Sequence, residues 1–315
     1  MRKDSTRGPQ WCQKPGVGLG LGADQIARRA NWDSAQAEVG LTLLFPAGAR
    51  PSAEAIERAL GRPGLGPELG PELGPELGKV SQAPEPHPRG PQRAQKPSGQ
   101  KRITSRVSSQ RGRAEGWVEV LASGLTFDLA GLEPGPPLAA PDARHFFGLP
   151  RDTGGLRFEA IALSPGPHLA GAGAMLPVVR IMACVASALA LELEALAVCW
   201  EPAGSWMDCQ YFSRVIGGWC AGGAFPALGL TGIERTHDGG VESDGLSFFV
   251  GQELRIESRR GESAADTVKL AARVIDHLVS NGAIFAREPL VGPGGEALLA
   301  EPSTDGKLLR VWRDG

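Results

Sequence analysis

The sequence predicts an α+β fold: a largely antiparallel or mixed sheet with helices packed on it, interrupted by a disordered insertion. Segments of strand and helix periodicity follow one another without strict alternation, which disfavours a doubly wound parallel sheet. Strand candidates come in pairs around short turns with Ser-Gly, Asp-Gly and Gly-Gly chemistry. Residues 61–114 lack the apolar side chains that would offset the entropy of ordering them. These divisions give a flexible tail over 1–35, a first strand and helix over 36–60, the insertion over 61–114, and the rest of the domain over 115–315.

The elements follow in chain order. "EVGLTLLF" (Glu38 to Phe45) is a strand. "SAEAIERAL" opens with Ser52 as a cap and spaces Ala55, Ile56, Ala59 and Leu60 helically. The insertion begins with a three-fold Gly-Pro-Glu-Leu repeat, Gly66 to Gly78, which neither a helix nor a central strand accommodates. It continues from Lys79 to Arg113 with nine Lys/Arg against one acid, Glu85. Two short strands around Ser123-Gly124 follow, then a strand over 155–164. "LSPGPHLAGAGAMLP" (Leu163 to Pro177) reads as a strand-to-helix connection. The helix it feeds carries Pro177 near N1 and is apolar round most of its circumference. "ALAVCW" (Ala195 to Trp200) is a buried strand, and "DCQYFSRVIGGWC" a helix capped by Asp208 and stopped at Gly222-Gly223. "FPALGLTGIER" and "DGLSFFVGQELRIE" read as strands joined through "THDGG". The helix after Ser263 presents Val268, Ala271, Ala272, Ile275 and Leu278 as its stripe and ends at Asn281-Gly282. A last hairpin turns at Asp305-Gly306.

Net charge is -2, so the average points to no partner, although the basic block leaves the remainder acidic. No apolar run reaches the roughly 18–20 uncharged residues of a membrane span. The N-terminus lacks a signal-peptide apolar region, so a cytoplasmic location and no membrane partner are expected. The five cysteines form no C-x-x-C pair and read as reduced, buried thiols; the five histidines are scattered. Neither a metal nor a cofactor is expected. "GVGLGLG" lacks a preceding strand and the spacing of a dinucleotide fingerprint.

Taken together, "LPVVRIMACVASALALELEALAVCW", "DGLSFFVGQELRIES" and "AARVIDHLVSNGAIF" resemble the uncharacterised bacterial family called domain of unknown function 4261. "EVGLTLLFPAGARPSAEAIERAL" is similar to that family's opening strand and helix. The resemblance spans about 38–60 and 116–300. It implies no activity and no functional residue, and the 61–114 insertion departs from it.

Four residues are candidate ligand contacts. Arg180 sits in the first turns of a buried helix, where a cation opposes the macrodipole, so it needs an acceptor: an internal carboxylate, or a small anionic ligand. His168, in the connection before that helix, is a turn histidine, or a general base if Ser164, Ser187 or Cys184 faces it. In an unbroken strand Leu246, Phe248, Val250, Gln252, Leu254 and Ile256 share one face and Glu253 lies on the other. Gln252 then belongs to a buried hydrogen-bond network or contacts a ligand. A bulge at Gly251 would instead turn Glu253 inward. Trp200, Trp206, Tyr211 and Trp219 read as core packing, or as a recognition patch. The leading function is a non-catalytic binding or protein-interaction module, with an unknown protein or a small anion as partner. The alternative is a small hydrolase or transferase with an anion pocket near His168 and Arg180. Weak, non-specific nucleic-acid binding through residues 79–113 comes third.

Overall fold

The computed structural model describes residues 40–61, 104–106, 110–149, 157–259 and 261–313. The expected tail over 1–35 and most of the expected insertion lie outside the described residues. The C-terminal end of that insertion includes two ordered pieces, a strand at Thr104–Arg106 and a helix at Gln110–Glu115.

The fold is α+β. The first half contributes β1 (Leu41–Pro46), α1 (Ala53–Gly61), β2 (Thr104–Arg106), α2 (Gln110–Glu115), β3 (Trp117–Ala122), β4 (Leu125–Ala130), β5 (His145–Phe147) and β6 (Phe158–Pro165). Then come α3 (Leu176–Glu192), β7 (Ala197–Trp200), β8 (Ser205–Met207) and α4 (Cys209–Cys220). The second half adds α5 (Ala227–Leu230), β9 (Gly232–Arg235), β10 (Val241–Asp244), α6 (Ser247–Val250), β11 (Glu253–Ile256), α7 (Ala264–Asn281), β12 (Glu288–Val291), β13 (Ala297–Pro302) and β14 (Leu308–Arg313). An eight-stranded sheet runs β2-β3-β4-β6-β1-β7-β8-β5, and a six-stranded sheet runs β12-β13-β14-β11-β10-β9. Among the described strands every pairing is antiparallel except β5–β8 and β11–β14.

The patterning explains the layering. β1 is central, and its first five residues are buried on both faces. Leu41, Leu43 and Phe45 join the main core under α3; Leu44 joins a smaller cluster with Ala160, Ala197, Cys199 and Trp206 on the reverse face. α3 follows a 3-10 stretch, Pro167–Ala172, so the strand-to-helix connection the sequence predicts runs from Gly166 to Met175, with Leu163–Pro165 still in β6. Its apolar residues are buried round most of the helix, as expected. α4 starts where Asp208 accepts the N–H groups of Gln210 and Tyr211. α7 packs on the second sheet, and Leu270, Ile275 and Leu278 share one core with Leu254, Ile256, Leu309 and Val311. Its buried stripe is rotated from the expected one: Thr267, Leu270 and Val274 are inside, while Val268 and Ala272 are only partly covered. Among the described residues no helix is long and apolar enough to cross a membrane.

Three expectations are corrected. The strand expected from Phe225 begins only at Gly232, because Ala227–Leu230 forms a helical turn; the hairpin through Thr236–Gly240 instead pairs β9 with β10. The unbroken strand expected over Leu246–Ile256 is a helical turn, Ser247–Val250, closed by Gly251 at φ +75°, and then β11. Glu253 causes the break, since its carboxylate gathers the N–H groups of Gly245, Leu246 and Ser247 and folds the chain back over it. Finally, not all the cysteines are thiols. α3 and α4 lie side by side, with the Cα atoms of Cys184 and Cys220 6.4 Å apart and the two sulfurs bonded. Cys199 and Cys209 are free and buried.

Candidate functional site

The four candidate ligand contacts do not meet in one pocket. His168 is exposed in the 3-10 stretch. Arg180 is partly buried and points at the end of α4: its Nε donates to the Trp219 carbonyl at 2.9 Å, its Nη2 donates to the same oxygen, and its guanidinium lies 5.4 Å from the Trp219 ring centroid. The acceptor is therefore internal, but it is a helix C-terminal carbonyl where a carboxylate was expected. The cation that opposes the dipole of α3 complements that of α4. Arg180→Ala is expected to cost about 2–3 kcal/mol, the sum of a charged hydrogen bond and a cation–π contact. Phosphate should shift the melting temperature of neither protein; a phosphate response that the mutant loses would refute this assignment.

Gln252 is fully buried. Its Nε2 donates to the carbonyls of Ile284 (3.1 Å) and Gly306 (2.8 Å), and its Oε1 accepts the Ile284 N–H at 3.3 Å. Glu253, besides its three backbone partners, accepts from the Ser243 hydroxyl. Both side chains are spent on holding the chain. Ser187 donates to Ser213 across the α3–α4 contact, at 2.9 Å. Trp200, Trp206 and Trp219 are buried, and the indoles of Trp200 and Trp206 donate to the carbonyls of Leu230 and Pro141. The aromatic group is core.

A polar cluster that the sequence reading passed over sits where edge strand β5 of the first sheet meets β9 and β10 of the second. His145 is 7% exposed; its Nε2 lies 3.0 Å from Asp244 Oδ2 and its Nδ1 3.5 Å from Glu234 Oε1. Arg144 contacts both oxygens of Asp244, at 2.7 and 3.0 Å. Gly232 leaves no room for a Cβ against the His145 ring. Ser205 stands beside His145 in register, but it is fully buried and no substrate can reach it. With a carboxylate at each ring nitrogen, His145 ties the two sheets together. The only sequence trace is the adjacent "RH" pair, which names no partner.

Among the described residues, a cleft of about 400 Å³ lies open between α7 and the β12–β13 hairpin. Leu270, Val274, Leu290 and Leu298 give it an apolar floor, and Arg273 and His277, one turn apart on α7, stand at its rim. Both are exposed. The Asn281 amide is 3.2 Å from His277 Nδ1, whereas Arg273 has no hydrogen bond or ion pair among the described residues. The amphipathic pattern of α7 is legible in the sequence, but its packing against the hairpin that starts at Glu288 is not.

Two other groups have perturbed chemistry. Burial pushes the Cys209 thiol up to about 12, and its Sγ donates to the Ala195 carbonyl; burial raises Cys199 as well. Neither is a nucleophile at neutral pH. Burial also raises Glu201, against the opposing hydrogen bond from Thr42 Oγ1 at 2.8 Å. Above the ordinary carboxyl range the folded chain thus keeps a proton that the unfolded chain has released, and stability falls as pH rises through that window. Glu201→Gln keeps an acceptor for Thr42 and is expected to remove this slope. Urea melts of both proteins between pH 4 and 8 test it, because the lowered carboxyls Glu159, Asp238, Asp266 and Asp305 act alike in both. Parallel curves would refute it.

No family model, no curated protein and no solved structure matches this chain.

Proposed function

We propose that the chain is a non-catalytic binding or protein-interaction module of the bacterial cytoplasm, related to the domain of unknown function 4261. One observation carries the binding reading. Arg180, Gln252 and Glu253 are spent on backbone groups and His145 on Asp244, whereas the α7/β12–β13 cleft offers an apolar floor beside Arg273, a cation with no partner among the described residues. A general base needs a ring nitrogen within reach of a substrate, and His145 is 7% exposed with its Nε2 taken by Asp244. In a reducing cytoplasm the Cys184–Cys220 bond would depend on its burial, with the two residues only 1% and 3% exposed. Nucleic-acid contact through residues 79–113 concerns a segment of which only 104–106 and 110–113 are among the described residues, and it adds nothing to this reading.

Native mass spectrometry of the protein purified without denaturation tests the proposal. A retained small molecule or protein that Val274→Arg fails to hold is the expected result. Turnover of ester, amide or phosphoester substrates, abolished by His145→Ala in a folded protein, would replace the binding reading with an enzymatic one.

A further inference from the structure

The cleft also has a chemistry of its own, and the following step rests on the binding reading above. We infer that it takes a small organic acid: an aliphatic or aromatic body seated on Leu270, Val274, Leu290 and Leu298, with its carboxylate between Arg273 and His277. The volume, about 400 Å³, falls at the small end of ligand clefts and suits a compact molecule more than a protein segment. Charge complementarity selects the anion. Among the described residues no carboxylate lines the cleft. The Glu296 carboxyl, beside Gly292, is turned back onto the Gly294 N–H at 2.7 Å. Arg273, exposed and without a partner among the described residues, can give a carboxylate two parallel N–H bonds. His277 follows it at i+4, on the same face of α7.

Strand addition at the neighbouring sheet edge is the competing way to occupy this wall, and β12 is built against it. The Gly292 N–H donates to the Glu296 carbonyl at 2.8 Å, which sets the phase of the ladder. Residues 288 and 290 therefore bond towards β13, while Pro289 and Val291 turn their backbone outward. Pro289 has no N–H to give, a common guard on an edge strand. A peptide laid along β12 would lose a ladder bond at its centre, whereas a small acid in the cleft needs none of that edge.

The test uses the full chain and three probes at neutral pH: hexanoate, hexanol and acetate. Methyl NMR of Leu270, Val274, Leu290 and Leu298 reports occupancy of the floor. Hexanoate is expected to shift these methyls saturably and to bind about tenfold or more tightly than hexanol, the difference one charged contact supplies. Acetate, without an apolar body, should not saturate. Arg273→Gln, a change at an exposed position, should bring hexanoate down to the level of hexanol at an unchanged melting temperature, and Arg273→Lys should restore part of the preference. Equal binding of hexanoate and hexanol to the parent protein would overturn the carboxylate assignment and leave the cleft as a binding site. No methyl response to any probe would overturn the cleft itself.

Discussion

Loss of the Cys184–Cys220 bond is expected to lower stability by about 3–4 kcal/mol, the closure entropy of a loop of this length on the chain-entropy account. The two residues are 36 apart in sequence. In a domain of this size that is a fall in melting temperature on the order of 10 °C. The bond joins the middle of α3 to the last residue of α4, one residue beyond the carbonyl that Arg180 holds. The same helix end is thus fixed twice, once covalently and once by a cation. The two fixings should couple: Arg180→Ala should cost more in the reduced protein than in the oxidised one, because only there is the end of α4 free to fray. Denaturant melts of the parent, Arg180→Ala, Cys184→Ala/Cys220→Ala and the combined variant measure both terms. A parent whose midpoint is indifferent to reductant, with additive losses in the combined variant, would sink this account.

Where the sequence reading succeeded, local chemistry was decisive. Ser52, Asp208 and Ser263 each begin a helix, and Ser263 and Asp208 accept the expected N–H groups. The turn at Ser123-Gly124 has positive φ at both residues, which the Ser-Gly pair foretold less strongly than Asn-Gly would have. Where it failed, a long-range group overrode the local pattern. Leu246 to Ile256 has strand-like composition, yet three backbone N–H groups and one hydroxyl converge on Glu253, and no periodicity encodes that convergence. The Cys184–Cys220 pair was equally hidden, since its spacing acquires meaning only once α3 and α4 lie side by side. The candidate site followed the same division. Gln252 is buried in a hydrogen-bond network as the sequence predicts, although the continuous apolar column behind that expectation is broken by the turn at Ser247–Val250. The cleft needed a helix and a hairpin brought together by the fold.

That buried amide carries the second large effect. Gln252→Ala is expected to cost about 4–5 kcal/mol. It leaves the Ile284 carbonyl and N–H unpaired in the interior and the Gly306 carbonyl unpaired in a half-buried turn, and it opens a cavity as well. Gln252→Met separates the two causes. It keeps most of the volume, so what remains, about 2–3 kcal/mol, is the cost of the stranded backbone groups. Gln252→Glu should fare no better, because an ionised carboxylate cannot donate to the two carbonyls, and its penalty should grow as pH rises. The three bonds also reach function. Ile284 lies in the segment between α7 and β12, and Gly306 in the β13–β14 turn, so Gln252 pins both ends of the hairpin layer that walls the cleft. Hydrogen exchange at the Ile284 amide should accelerate in Gln252→Met before the protein unfolds globally, with the Leu290 and Leu298 methyls broadening in step. If instead Gln252→Met were as stable as the parent and protected Ile284 equally, the side chain would be filler, and the hairpin would be held by its apolar contacts with α7 alone.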